Sequence, residues 1–181
     1  MEKEKNLELY FKKLSECGIN VEVLREKYGE KLLNGTYTFS RKDKGCGDGE
    51  LLNILLRKLT PTAIGINNLL PEDLRVDTTM LIRTCLLSQI SKAVMVIPNE
   101  NQWEIENRGI LYKFDEFPYA MKMGMRTISM CMDCGIVLND NEIEAISNLD
   151  RDEDKQIKFF SSPLATILRQ ATEIIDLMNR K

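Results

Sequence analysis

The chain has 181 residues, a formal net charge of −3 and no histidine. Without histidine there is no imidazole metal ligand, no His general acid or base and no Ser-His or Cys-His nucleophilic pair. The acidic balance argues against non-specific nucleic-acid binding, which needs a basic surface.

A composition of 43% hydrophobic and 29% charged residues is that of one ordinary globular domain. No apolar run approaches the roughly 18–20 residues of a membrane span, and Met1-Glu-Lys-Glu-Lys is no signal peptide. Five cysteines, an odd number set mostly in apolar helical patterns, point to free thiols in a reducing cytoplasm.

Leu7, Tyr10, Phe11 and Leu14 have helical spacing, and Gly18 stops that first helix. Asn20 caps a second helix carrying Val21, Leu24, Tyr28 and Leu32, so residues 1–35 read as a helical pair. Thr36 to Phe39 is a short β-prone run. It leads into a Gly-rich loop, so residues 36–49 read as a flexible connector. Gly45, Gly47 and Gly49 would let backbone approach a phosphate, but no Lys-Ser or Lys-Thr follows at P-loop spacing.

Residues 50–181 read as the helical core. Glu50 to Leu59 is an apolar helix that Pro61 ends or kinks, continued by Ile64, Ile66, Leu69 and Leu70. A central helix follows from Asp77 to Ala93, with Met80, Leu81, Cys85, Leu86, Leu87, Ile90 and Ala93 as a buried stripe. Val94 to Ile97 begins a strand, stopped at Pro98-Asn99. Gln102 to Glu106 and Ile110 to Phe114, flanking Asn107-Arg-Gly109, predict a β-hairpin near 102–114. Phe117-Pro118 opens a Met-rich helix carrying Met121, Met123, Met125, Met130 and Met132. Its methionines are core fillers or, alternatively, a flexible binding surface. Asp140 caps a short helix, a charged loop runs from Leu149 to Lys155, and Ser162-Pro163 starts a final amphipathic helix to Met178.

Two chemical motifs are weak. Cys131-Met-Asp-Cys134 has no second ligand pair for zinc and falls late in a helix, where a redox role would need a helix N-terminus. Asp150, Asp152, Glu153 and Asp154 lack the EF-hand glycine and closing glutamate. The sharper signal is Ser88 and Gln89, two adjacent polar residues in the apolar stripe, with Lys92 beyond them. Buried polar groups need hydrogen-bond partners, so this pair belongs to a network or a pocket.

The rhythm Leu86-Leu87, two residues, Ile90, any residue, Lys92-Ala93 resembles the central helix of the HD superfamily of metal-dependent phosphohydrolases. The resemblance runs from about Leu51 to Met178 and is nearest to small bacterial and phage members. The family's His-Asp pair falls on Ser88 and Gln89, and the His of "Gly-Leu-Leu-Glu-His-Ser" on Asn53. The His after "Phe-Pro-x-Gly" falls on Met123, ahead of Arg126, and the last Asp ligand on Thr172. Lys92, Phe117-Pro118, Asp140, Glu142, Pro163-Leu164-Ala165 and Ala171 keep the framework. The resemblance implies a single mainly α domain, an HD-domain-like helical bundle with one small β-hairpin.

The implied ligand positions Asn53, Ser88, Gln89 and Thr172 are all neutral, and a divalent cation needs charged or imidazole ligands. The expectation is therefore a pseudoenzyme with no metal, no cofactor and no catalytic residue. It would act by binding a protein partner or a second copy of itself, through the Met-rich helix or the hairpin. One alternative is a metal-free binder of a nucleotide or other phosphorylated small molecule. In that reading Asn53, Ser88, Gln89 and Thr172 supply hydrogen bonds, and Lys92 and Arg126 bind the anion. A second alternative is a residual phosphohydrolase.

Overall fold

A computed structural model describes residues 2–115, 121–150 and 161–180. Among these the protein is mainly helical with a small two-stranded antiparallel sheet. The helices are α1 (Glu2–Glu16), α2 (Glu22–Asn34), α3 (Glu50–Ile54), α4 (Thr60–Leu69), α5 (Thr78–Leu87), α6 (Lys92–Met95), α7 (Met123–Asp133), α8 (Asp140–Ser147) and α9 (Pro163–Asn179). The strands are β1 (Val96–Pro98) and β2 (Tyr112–Phe114).

The N-terminal pair forms as its spacing predicts. Tyr10, Phe11 and Leu14 are buried on α1, and the Asn20 side chain accepts the Glu22 N–H at 3.0 Å to start α2. Arg25 of α2 grips Glu8 of α1 with both guanidinium nitrogens, at 2.6 and 3.0 Å, and lies 4.4 Å over the Phe11 ring. The pair packs onto α3, so one core runs from α1 through α9.

Pro61 does not end its helix. A five-residue π-helical segment, Leu55–Leu59, joins α3 to α4, so the helical chain continues to Leu69. Proline has no N–H to donate, and the wider turn lets the Leu55 carbonyl accept from both the Thr60 N–H and, at 2.7 Å, the Thr60 hydroxyl.

The central helix is shorter than its apolar stripe suggests. α5 packs against α1, α4 and α8 with Leu81, Cys85, Leu86 and Leu87 fully buried, but it closes at Leu87. Residues 88–91 form tighter turns, and helix resumes as α6. A local competition explains the break. The Tyr10 hydroxyl donates to the Leu86 carbonyl at 3.2 Å, and Ile90 N–H turns to the Leu87 carbonyl instead. The Ser88 hydroxyl takes the Cys85 carbonyl at 2.9 Å.

The hairpin also differs from its sequence pattern. Its first arm is Val96–Pro98, paired as Val96 with Phe114, Ile97 with Lys113 and Pro98 with Tyr112. Gln102 to Arg108 is helical, not extended. Asn99 and Asn101 nucleate that turn: the Asn99 side chain accepts the Asn101 N–H, and the Asn101 side chain accepts the Glu104 N–H. The isolated bridge from Ser40 to Ile110 carries the β-prone 36–39 run to the edge of this sheet.

The Gly-rich connector is pinned. The Gly45 carbonyl accepts the Tyr37 and Thr38 N–H groups, the Thr36 hydroxyl accepts Gly47 N–H, and Lys44 N–H reaches the Asn179 carbonyl. Gly45 (φ +89°) has no room for a Cβ beside Ile54 Cδ1, and a Cβ on Gly49 would lie 2.7 Å from Lys3. These glycines admit neighbouring side chains.

α8 is capped by Asn139, one residue before the expected Asp140. The Asn139 side chain accepts Glu142 N–H at 3.0 Å and Glu142 returns the bond at 2.9 Å, a reciprocal capping box. Ser162 and Pro163 start α9 as expected. Phe117-Pro118 lies outside the described residues, and so do Asp152, Glu153 and Asp154.

Candidate functional site

Among the described residues, no side-chain hydrogen bond joins any two of the six residues singled out by sequence. Asn53 donates to Glu50 of its own helix at 3.0 Å, and the Thr172 hydroxyl donates to the Leu168 carbonyl of α9 at 2.9 Å. Ser88 and Gln89 are buried, 1% and 2% exposed. A hydroxyl relay runs beside Ser88: Thr127 of α7 lies 3.3 Å from the Ser88 carbonyl and 2.9 Å from the Ser91 hydroxyl, which donates to the Met123 carbonyl. This relay clamps the 88–91 turns to α7. Arg126 lies on α7 near Tyr28, where its charge opposes the rise that burial imposes on the phenol pKa.

Gln89 and Lys92 do meet, at a residue absent from the sequence-based set. Gln89 Nε2 donates to the Tyr37 hydroxyl at 3.4 Å, and that hydroxyl donates to Asp176 Oδ1 at 3.0 Å. Lys92 Nζ donates to the Tyr37 carbonyl at 3.0 Å and sits 3.6 Å from the centre of the Tyr37 ring. Burial pulls the Lys92 ammonium down to about pKa 8, against the field of Asp176, which favours the charge. Burial likewise pushes the Tyr37 phenol well above its ordinary range. Asp176 lies one helical turn beyond Thr172 on α9. It is the acid that the polar centre uses. Its only sequence signal was a lone carboxylate inside the apolar run Ile174-Ile175-Asp176-Leu177-Met178.

On the outer side of this centre, Tyr37, Phe39, Asp43, Lys92, Asp176 and Arg180 line a cavity of about 220 Å³. Its charge is balanced, two cations against two carboxylates.

Cys85, Cys131 and Cys134 are core residues, and Cys17 and Cys46 are half-buried. Burial pushes Cys85 and Cys131 up to about pKa 12, so neither is a thiolate at neutral pH. Among the described residues no cluster of three or more Cys, Asp or Glu is placed to hold a metal ion. No described helix is long and apolar enough to cross a membrane.

The second feature is an apolar groove of about 370 Å³ between the end of α7 and α8, lined by Ile128, Met132, Ile136, Val137, Leu138 and Ile143. Two of its walls project into solvent: Met132 is 72% exposed and Val137 83%. Gly135 (φ +70°) turns the chain there, and Ile136 N–H returns to the Cys131 carbonyl in a tight helix-ending loop. Beneath the groove, Glu142 is fully buried against Arg83 (Nε to Oε1, 2.6 Å) and Thr84, and Arg83 also donates to the Val137 carbonyl at 2.7 Å. The loop that bears Val137 is therefore held rigidly. Asp133 and Asp140 are exposed and lie next to or near the lining residues in sequence; neither joins an ion pair among the described residues, and Lys27 Nζ donates to the Asp133 carbonyl at 2.8 Å.

No family model, no curated protein and no solved structure matches this chain.

Proposed function

We propose that this protein acts by binding a basic amphipathic helix of a partner protein in the α7–α8 groove. It performs no phosphohydrolase chemistry at the positions that resemble the HD superfamily's metal ligands. One observation carries the reading: Met132 and Val137 stand 72% and 83% exposed beside an apolar hollow of about 370 Å³. Exposed apolar surface of this kind, rimmed by polar groups, marks interaction sites, and methionine adapts to a partner's shape. The exposed carboxylates Asp133 and Asp140, close in sequence to the groove's lining, favour a partner with cations flanking its apolar face. Support for a non-catalytic role comes from Asn53, Ser88, Gln89 and Thr172, each of which makes a side-chain hydrogen bond within the protein. Residence in a reducing cytoplasm belongs to the same reading, supported by five free cysteines.

The test is fluorescence anisotropy with two labelled amphipathic peptides, one of Leu and Lys and one of Leu and Glu. The Leu/Lys peptide is expected to bind, at least about tenfold more tightly than the Leu/Glu peptide, and to lose about tenfold or more in affinity on Val137→Asp. Equal binding of both peptides, or binding indifferent to Val137→Asp, would refute the reading. A dimer in sedimentation that Val137→Asp dissociates would reassign the groove to a second copy of the chain.

A further inference from the structure

The cavity beside Lys92 holds four charges that neutralise one another in sum but not in contact. Lys92, Arg180, Asp43 and Asp176 all line it, and no ion pair within 4 Å joins any two of them. Asp176 accepts the Tyr37 hydroxyl, and Lys92 gives one of its three N–H donors to the Tyr37 carbonyl and lies 3.6 Å from the Tyr37 ring centre, so its ammonium keeps hydrogen-bonding capacity to spare. A buried ammonium with idle donors is costly unless something completes its shell. Lys92 is 8% exposed. Phe39, half-buried and packed edge-on against Phe114 at 4.8 Å, gives the cavity a rigid apolar wall.

A simple anion fits this arrangement poorly, because either cation would bring it toward a carboxylate. A simple amine fails for the converse reason. A ligand carrying both charges a short distance apart satisfies all four groups at once. The volume of about 220 Å³ equals roughly seven waters at liquid density, room for a molecule of about six to nine heavy atoms. We propose that this cavity binds a small zwitterion of the α-amino-acid class, its carboxylate held by Lys92 and Arg180 and its ammonium by Asp43 and Asp176. The site is independent of the α7–α8 groove, and either can fail without the other.

The test is a thermal-shift and calorimetric series on the full chain with alanine, serine and aspartate, against propionate, which lacks the ammonium, and ethylamine, which lacks the carboxylate. At least one amino acid at 10 mM is expected to raise Tm by about 3 °C or more, corresponding to a Kd below about 1 mM, while neither single-charge analogue does. Arg180→Gln and Asp43→Asn alter partly or fully exposed side chains and are expected to leave the ligand-free Tm within about 1 °C. Each is expected to weaken amino-acid binding at least about tenfold. No shift with any amino acid on the folded wild type would overturn the proposal. So would equal shifts with propionate or ethylamine, or binding unchanged in both variants.

Discussion

Replacing Lys92 with methionine isolates the cost of holding a charge inside the polar centre. Burial lowers the Lys92 pKa from an ordinary 10.5 to about 8, which corresponds to about 3 kcal/mol against the folded state at pH 7. The folded-state value lies below the unfolded one. The cost is thus fully present below about pH 8 and is relieved as the pH rises toward 10.5. Between pH 7 and pH 9.5 about 2 kcal/mol should be recovered. Lys92→Met removes that cost and leaves the Tyr37 carbonyl without its 3.0 Å donor, a loss of about 1 kcal/mol. The variant should therefore be about 2 kcal/mol more stable than wild type at pH 7, with the gap closing by pH 9.5. The groups facing Lys92 are Tyr37, Asp176, Asp43 and Arg180, and burial holds the Tyr37 phenol protonated throughout this range. Cys85 and Cys131 act in the opposite sense, because burial raises their pKa to about 12, but they contribute equally to both proteins. Urea unfolding of the two proteins at pH 7, 8.5 and 9.5 gives the difference directly. Parallel curves, or a variant less stable than wild type at pH 7, would refute the reasoning.

Other perturbations read other parts of the fold. Glu142→Ala leaves Arg83 without its buried partner and Asn139 without its reciprocal bond, and should cost about 3 kcal/mol by chemical denaturation. It should also weaken Leu/Lys peptide binding, because Arg83 supports the Val137 carbonyl. Gly45→Ala forces a Cβ against Ile54 at a φ of +89° and should cost about 2 kcal/mol, seen as a lower urea midpoint at unchanged m. Thr172→Val removes a hydroxyl that serves only its own helix. It should change stability by no more than about 0.5 kcal/mol and leave amino-acid binding unaltered, whereas an effect on binding would place Thr172 in the site.

Periodicity identified the helices because their buried faces are read over many residues: Tyr10, Phe11 and Leu14 on α1, or Leu81, Cys85 and Leu86 on α5. It failed where a single distant contact decided the local structure. The break after Leu87 depends on Tyr10, 76 positions away in sequence, taking the Leu86 carbonyl. Gln102 to Glu106 alternates like a strand, yet two asparagine caps make it helical. The polar centre was half legible. Gln89 and Lys92 stood out because polar residues in an apolar stripe need partners. Those partners, Tyr37 and Asp176, come from segments 52 and 139 positions apart from Gln89 and from one another respectively, which no local pattern connects. The α7–α8 groove had a signal in the methionine spacing, but Val137 and Gly135 belong to a loop whose shape only tertiary structure defines.

The proposed role turns on where a basic amphipathic helix meets the surface, and NMR titration of ¹⁵N-labelled protein with the Leu/Lys peptide locates that contact residue by residue. The expected result is saturable amide shifts at Ile128, Met132, Gly135 to Leu138 and Ile143, with Ser88 and Gln89 unmoved. Shifts centred on Ser88, Gln89 and Asn53, or none at any of the groove residues, would contradict it.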